Sequence, residues 1–436
     1  MTLQPDFLAH QARLLSRLAP DEAVLLLASP TTVRNGDAEH RYRPASDLFW
    51  LTGWEEPEAA AFFRPGDHQL TLFVRERDPA REQWTGRRQG LEGAVERFDA
   101  DEAFPYDELG DRLPELLRGV RTLHYDFTVD TDVDAMLVGA IQRAERAARQ
   151  DGQPVPTVFP SLRHLLHELR LVKDPDEIAL LREAARITAL GHAAAFRATR
   201  PGVREYQVAA AIDFAFANAG STGLSYETIV AGGENACILH YVDRTDELRD
   251  GDLVLIDAGA EHAYYAGDVT RTFPVNGRFT ADQRRLYNWV LRAEEAAIAA
   301  ARVGARLADV HQAAVRVLAE ALVELGVFKG SPEVCIASGA YKRYFVHGTS
   351  HWLGLDVHDV GTYTGDGGSR VLEPGMVFTI EPGLYFPAND EAVPEAFRGV
   401  GIRIEDDVHI RPGPAEVLTA AIPKTVDAIE AACARE

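Results

Sequence analysis

At 436 residues the chain exceeds the usual size of a single hydrophobic core, so two domains are expected, and its 46% hydrophobic and 26% charged residues exclude a largely disordered or fibrous protein. A formal charge of −22 opposes contact with phosphate backbones and anionic lipid, which excludes nucleic acid and membranes as expected partners. The first residues lack a basic stretch followed by an apolar one, no uncharged apolar run reaches about 18 residues, and Cys237, Cys335 and Cys433 show neither CxxC nor zinc-knuckle spacing, so a soluble protein of the reducing cytoplasm is expected.

Residues 21–75 alternate short apolar runs (AVLLLA, LFWLTG, AAAFFR, LTLFV) with turn residues, and a helix rich in Ala and Arg is predicted over 132–150. This pattern reads as a small α/β domain. The segment DGQPVPTVFP at 151–160, with three prolines and a glycine, suits a linker, so the boundary is placed after it: an N-terminal domain over 1–160 and a larger domain over 161–436. Beyond it, Asp174 followed by Pro175 and Glu177 predicts a capped helix start, with Ile178, Leu181 and Ala185 on one face.

The second half repeats an order of elements. Helices are predicted near 174–194 and 204–219, with Gly220 at the C-terminal end, then strands around SYETIVAGG, LVLIDAGA and VTRTFPV. Further helices near 281–302 and 306–325 follow, the first opened by Thr280 and Gln283, then strands around GMVFTIEPG and GIRIEDDVHI. Two such units facing each other would put helices outside a curved sheet, with a cleft where strand ends meet. An unrepeated α+β domain is the alternative.

Asp257 ends the apolar run LVLID and Asp268 precedes VTRTF, with a turn-rich link between. A hairpin turning between His262 and Ala263 would set the two carboxylates directly opposite on one face, where a cation would relieve them. The alternative is that each Asp caps a turn. Downstream, HGTSHWLGLDVHD places His347, His351 and His358 close together, and at least one of them is expected to be a ligand. Glu381 in FTIEPG and Glu405 in IRIEDD each follow an apolar run, where an uncompensated carboxylate would be expensive. Four carboxylates and one imidazole suit hard divalent ions such as Mn²⁺, with Co²⁺ or Zn²⁺ also compatible.

The stretch 226–419 resembles the catalytic domain of the aminopeptidase P (Xaa-Pro aminopeptidase) family, through ILHY, DLVLIDAGAEHAYYAGDVTRTFPVNG, HGTSHWLGLDVHDVG, LEPGMVFTIEPGLY and GIRIEDD. The N-terminal half resembles it through SDLFWLTGWEEPEA and WTGRR. The resemblance implies a creatinase-like α/β domain ahead of a pita-bread domain, with a curved antiparallel sheet and an internal pseudo-two-fold. It implies that Asp257 binds one of two metal ions, that Asp268 and Glu405 bridge both, and that His351 and Glu381 complete the other. Glu381 is then the expected proton acceptor, His240 and His358 assist substrate or transition state, and His347 shapes a proline pocket. Arg403 near the carboxylates is either catalytic or a structural ion partner. Tyr385 is expected to orient substrate. Trp84 is either a substrate contact reaching a neighbouring subunit's site or a buried structural residue.

The implied activity is release of the N-terminal residue from peptides with proline second, by a dimeric or tetrameric homo-oligomer. An Xaa-Pro bond offers no amide N–H, so its recognition needs an apolar, ring-shaped pocket. Prolidase, restricted to dipeptides, is the nearest alternative. A non-enzymatic pita-bread binding module, marked by lost ligands and basic patches, is the other.

Overall fold

A computed structural model of the protein describes residues 4–66, 69–365 and 367–434. Two compact units emerge, Pro5–Arg170 and Leu171–Glu436. The division falls at 170/171 and not at the expected 160/161, because the helix Arg163–Leu171 is tied to the N-terminal unit. Buried Arg170 donates to Asp47 at 2.7 Å, and the Leu169 carbonyl accepts from Arg13 at 2.6 Å.

The N-terminal unit is built on a five-stranded sheet in the order Glu102–Pro105, Leu70–Val74, Ala60–Phe63, Glu22–Leu27, Thr122–His124. Its inner pairs are antiparallel and its two edge pairs parallel. Three of the four apolar runs form strands, while LFWLTG lies in the helix Ser46–Thr52, closed by left-handed Gly53. The predicted 132–150 helix spans Thr131–Asp151 and packs Leu137, Ala140 and Ala144 against Leu123 and Leu113.

In the C-terminal unit the expected order of elements holds. Helices Pro175–Ala198 and Glu205–Asn218 pair, as do Ala281–Ala300 and Leu307–Glu324. The Asp174/Glu177 and Thr280/Gln283 capping boxes both form, satisfying backbone donors that the first helical turn would leave open. Short antiparallel strands lie between the helix pairs, and their apolar residues share one core with the helices. The strand Thr270–Pro274 meets Val400–Arg403 through the Thr272 hydroxyl, which donates to the Arg403 carbonyl at 3.0 Å and accepts its amide at 3.2 Å. The result is a group of antiparallel sheets of two or three strands each, sharing a core with two helix pairs.

Two local expectations differ from the structure. The hairpin turns at Ala263 and Tyr264, both left-handed (φ 46° and 68°), which pairs Asp257 with Thr270 and not with Asp268. A primed two-residue turn matches strand twist, and a register offset of two leaves every side chain on its original face. The segment GIRIEDDVHI is two strands, Val400–Arg403 and Asp406–His409, pairing with Gly383–Phe386 and Val377–Ile380 respectively. Glu405 sits in the break between one pair of strands, and Glu381 in the break between the other.

Candidate metal centre

Strand ends place the acidic groups. Asp257 closes the strand Leu253–Asp257, and Asp268 stands just ahead of Thr270–Pro274. The segment carrying His351 runs beside Val377–Ile380: the Thr379 amide donates to the His351 carbonyl at 3.0 Å and the Glu381 amide to the Thr349 carbonyl at 2.9 Å. That backbone pairing sets the His351 Nε2 3.6 Å from Glu381 and 3.3 Å from Asp268. Ligand atoms of Asp268, His351 and Glu405 all lie within 4.8 Å of one another. Together with Asp257 and Glu381 they line a single cavity of about 380 Å³.

Four carboxylates in one cavity, three buried and Glu381 half-buried, repel each other. Burial first, then the charges of Asp268 and Glu381, push the Glu405 carboxyl well above its ordinary range. Burial likewise lifts Glu381 to about 7 against the pull of His351 and Arg403, and raises Asp257 against the pull of Arg403. Burial works against a charged His351, yet Asp268 and Glu381 outweigh it and hold the ring at about 9. The His351 Nδ1 faces the Trp352 carbonyl at 3.1 Å and must donate there, so the proton that keeps the ring charged sits on Nε2, among the carboxylates. A divalent ion would displace that proton and take the Nε2 lone pair together with the carboxylate oxygens. This donor set therefore fits a divalent metal centre, with the ring oriented as metal-bound histidines are.

Partners behind the cavity fix these groups. Buried Arg403 donates Nη2 to Asp257, Nε to Thr270 Oγ1 at 2.9 Å and Nη1 to the Tyr385 hydroxyl at 3.0 Å. The Thr270 hydroxyl donates to Glu405 at 2.6 Å. His347 donates Nδ1 to the Gly348 carbonyl at 2.7 Å, so its Nε2 accepts from Tyr385 at 2.7 Å; burial and the nearby Arg403 charge lower its pKa to about 3. His358 crosses the His351 ring edge-on at 4.4 Å, and His240 lies on the cavity wall with Leu239 and Val242.

Not every predicted residue converges. Tyr385 is buried behind His347 and is not among the lining residues. Trp84 belongs to the N-terminal unit, on the short helix Pro79–Thr85, and is 88% exposed, which removes the reading of a buried structural residue. Two groups escaped the sequence reading. The Tyr226 hydroxyl bridges Asp257 and Asp268, at 2.6 Å from the latter. Arg271, fully buried, donates Nη1 to the Glu405 carbonyl at 2.6 Å and Nη2 to Asp406 at 2.8 Å. Neither carries a local signal: Tyr226 precedes its strand in an irregular segment, and Arg271 reads as an ordinary strand residue.

Residues 179–412 match metallopeptidase family M24, and residues 7–124 match the aminopeptidase P N-terminal domain. The Xaa-Pro aminopeptidase of Escherichia coli is 43% identical over 98% of this chain and 97% of its own, and that of Haemophilus influenzae 40% identical over 98% and 96%. The chain belongs to metallopeptidase family M24. This M24 member is a hydrolase of the aminopeptidase class, and the family's dependence on divalent metal agrees with the donor set in its cavity. The structure of Pseudomonas aeruginosa aminopeptidase PepP superposes on the M24 chain with a TM-score of 0.96, at 42% identity and 99% coverage of both. Zinc-substituted E. coli aminopeptidase P in complex with product matches with a TM-score of 0.95, at 42% identity and 100% coverage of both.

Proposed function

We propose that this protein releases the N-terminal residue from peptides whose second residue is proline, with Asp257, Asp268, His351, Glu381 and Glu405 holding two divalent ions. The observation that carries this reading is the meeting of all five side chains in one cavity, in a chain similar to Xaa-Pro aminopeptidases over nearly its whole length. Two bound divalent ions would supply an activated water and a polarised scissile carbonyl.

The chain's own groups do the rest. Glu381 faces the cavity beside His351 and accepts the proton released as water attacks. His240 and His358 stand on the wall, His240 to contact the peptide and His358, edge-on to the His351 ring, to meet the charge that develops on it. His347 presents a neutral ring fixed by Gly348 and Tyr385, which suits the wall of a proline pocket. The engaged donors of Arg403 support a role in holding Asp257 and Tyr385, and buried Tyr385 orients His347. Ile229, Leu239, Val242 and Val357 give the cavity the apolar surface that a proline ring needs.

Mn²⁺ is the proposed ion because oxygen donors predominate. We place the protein in the cytoplasm on its three cysteines, an odd number spaced as neither CxxC nor a zinc knuckle. No helix among the described residues is long and apolar enough to cross a membrane. A homo-oligomer, dimer or tetramer, is supported by the exposure of Trp84, and light scattering on the purified protein decides it. The functional test is hydrolysis of Arg-Pro-Pro against Ala-Pro with added Mn²⁺, for wild type and Asp268→Ala. Tripeptide cleavage lost in the variant supports the proposal, cleavage confined to Ala-Pro makes the protein a prolidase, and no metal-dependent cleavage of either overturns both.

A further inference from the structure

One wall of the cavity has no regular secondary structure. Residues 238–246 form neither helix nor strand, yet they bring Leu239, His240 and Val242 to the cavity, the last two with exposed side chains. Buried Tyr241 and its neighbour Leu239 pack on Ile229, Ala231 and Tyr385, and Arg244 donates to the Thr228 carbonyl at 3.1 Å; the exposed His240 between them adds no packing of its own, so its height depends on the loop's backbone and polar partners.

Most of those partners converge on Glu205. It is the first residue of the helix Glu205–Asn218 and is fully buried. One carboxylate oxygen accepts from the Gly232 amide at 2.8 Å and from Asn235 Nδ2 at 3.0 Å. The other accepts from the Tyr241 hydroxyl at 2.8 Å and the Asp246 amide at 3.0 Å. These donors span the loop from its root to its far end, with His240 between them. A carboxylate has about four acceptor sites, so the buried charge is fully compensated, and it lies at the positive end of its helix. The helix answers in kind: the amides of Glu205 and Tyr206 donate to the carbonyls of Asp246 and Arg244, both at 3.0 Å. Val208, Ile212 and Phe216 of the same helix lie in the main core, so the anchor stands on a fixed element.

We propose that Glu205 is a positioning residue for substrate binding, holding the 233–246 loop so that His240 stands at one height over the cavity. The inference rests on the peptidase reading above. Glu205 is neither a proposed metal ligand nor a cavity-lining residue, so it acts on peptide binding and leaves the metal centre and the chemical step alone.

Two variants test it in the full-length, metal-loaded protein. Glu205→Gln turns an acceptor oxygen into an amide that faces two donors, and Tyr241→Phe removes one donor while keeping the carboxylate. With Glu205→Gln, KM for Arg-Pro-Pro should rise about tenfold, as expected of a contact displaced by an ångström or less. Tyr241→Phe should shift it less, and the double variant should fall short of the product of the two, because both act through one contact. In both variants kcat should stay within about threefold of wild type, the signature of lost binding alone. Bound metal per chain should not change. Amide exchange should quicken in 233–246 and stay unchanged in Ala281–Ala300. Unaltered exchange in the loop, or an unaltered KM in an active enzyme, overturns the proposal. So does loss of metal, which would mark a general structural role. If Glu205→Gln does not fold, Tyr241→Phe decides by the same readouts. If wild type does not cleave Arg-Pro-Pro, the peptidase reading has failed, and loop exchange alone then decides whether Glu205 holds the loop.

Discussion

The Tyr226 hydroxyl has one proton and two carboxylates within reach, so it ties Asp257 to Asp268 and fixes the gap between them. Tyr226→Phe removes that tie without changing the ring. It should fold normally and weaken metal binding about 10- to 100-fold, the range for groups that orient ligands, as read by calorimetric titration of Mn²⁺. Asp268 illustrates the opposite balance. Its charge adds to the repulsion that raises Glu405 and Glu381, so it costs stability in metal-free protein while serving the metal. Asp268→Asn, stripped of metal, should melt no lower than stripped wild type while losing metal-dependent peptidase activity. A clearly lower melting temperature would show that the carboxylate serves folding instead. None of this was visible in the local sequence: Asp268 was recognisable from its place after a glycine and before an apolar run, whereas the partner that restrains it comes from an irregular segment 42 positions away.

Elements meet at points where only certain residues fit. Gly259 and Gly267 face each other across the hairpin that links Asp257 to Asp268, and a Cβ on Gly259 would lie 1.7 Å from the Gly267 carbonyl. That contact is with backbone, so no rotamer relieves it. Gly259→Ala should therefore cost several kcal/mol, at or beyond the ~1–3 kcal/mol of ordinary overpacking, and should cut bound metal, as urea titration and metal analysis would show. In the N-terminal unit the helix Ser46–Thr52 is joined to Arg163–Leu171 by Asp47 and Arg170. Burial pushes Asp47 up, but Arg170 together with His167 outweighs it and holds the carboxyl at about 2, below its ordinary 3.8. A depressed pKa means stability present above the unfolded value and lost as pH falls. Asp47 should contribute about 2 kcal/mol that disappears between roughly pH 4 and pH 2. Asp47→Asn should lower stability at neutral pH by about that much, since it removes the charge that faces buried Arg170, and should flatten the acid limb of the pH–stability curve. An unchanged acid limb would remove this ion pair from the account.

At the scale of the molecule, the C-terminal unit folds around a cluster of like charges, and a bound cation shifts that balance. A ligand held by the folded state alone stabilises by about 2.7 kcal/mol at a hundredfold excess over its Kd. Mn²⁺ should accordingly raise the melting temperature, and a chelator should lower it, in wild type but not in Asp268→Asn. A scan insensitive to both would argue against a metal centre in this cavity.

Local elements and the residue types of the site follow from near neighbours along the chain. Capping boxes at Asp174 and Thr280 and the apolar faces that follow them depend on residues within a few positions, which is why those helix starts were legible. The motifs around Asp257, Glu381 and Glu405 were legible because carboxylates after apolar runs contradict the preference of such positions, and His351 because it stands in a cluster of three histidines. How these groups are held depends on contacts between distant parts of the chain. The hairpin's register followed from left-handed Ala263 and Tyr264, residues with no turn signature of their own. The ties from Tyr226, Arg271 and Glu205 reach across tens of positions, and the helix Arg163–Leu171 joined the first unit through a half-buried ion pair. Each of these depends on long-range approach, and periodicity along a chain carries no information about which distant strand end will lie beside another.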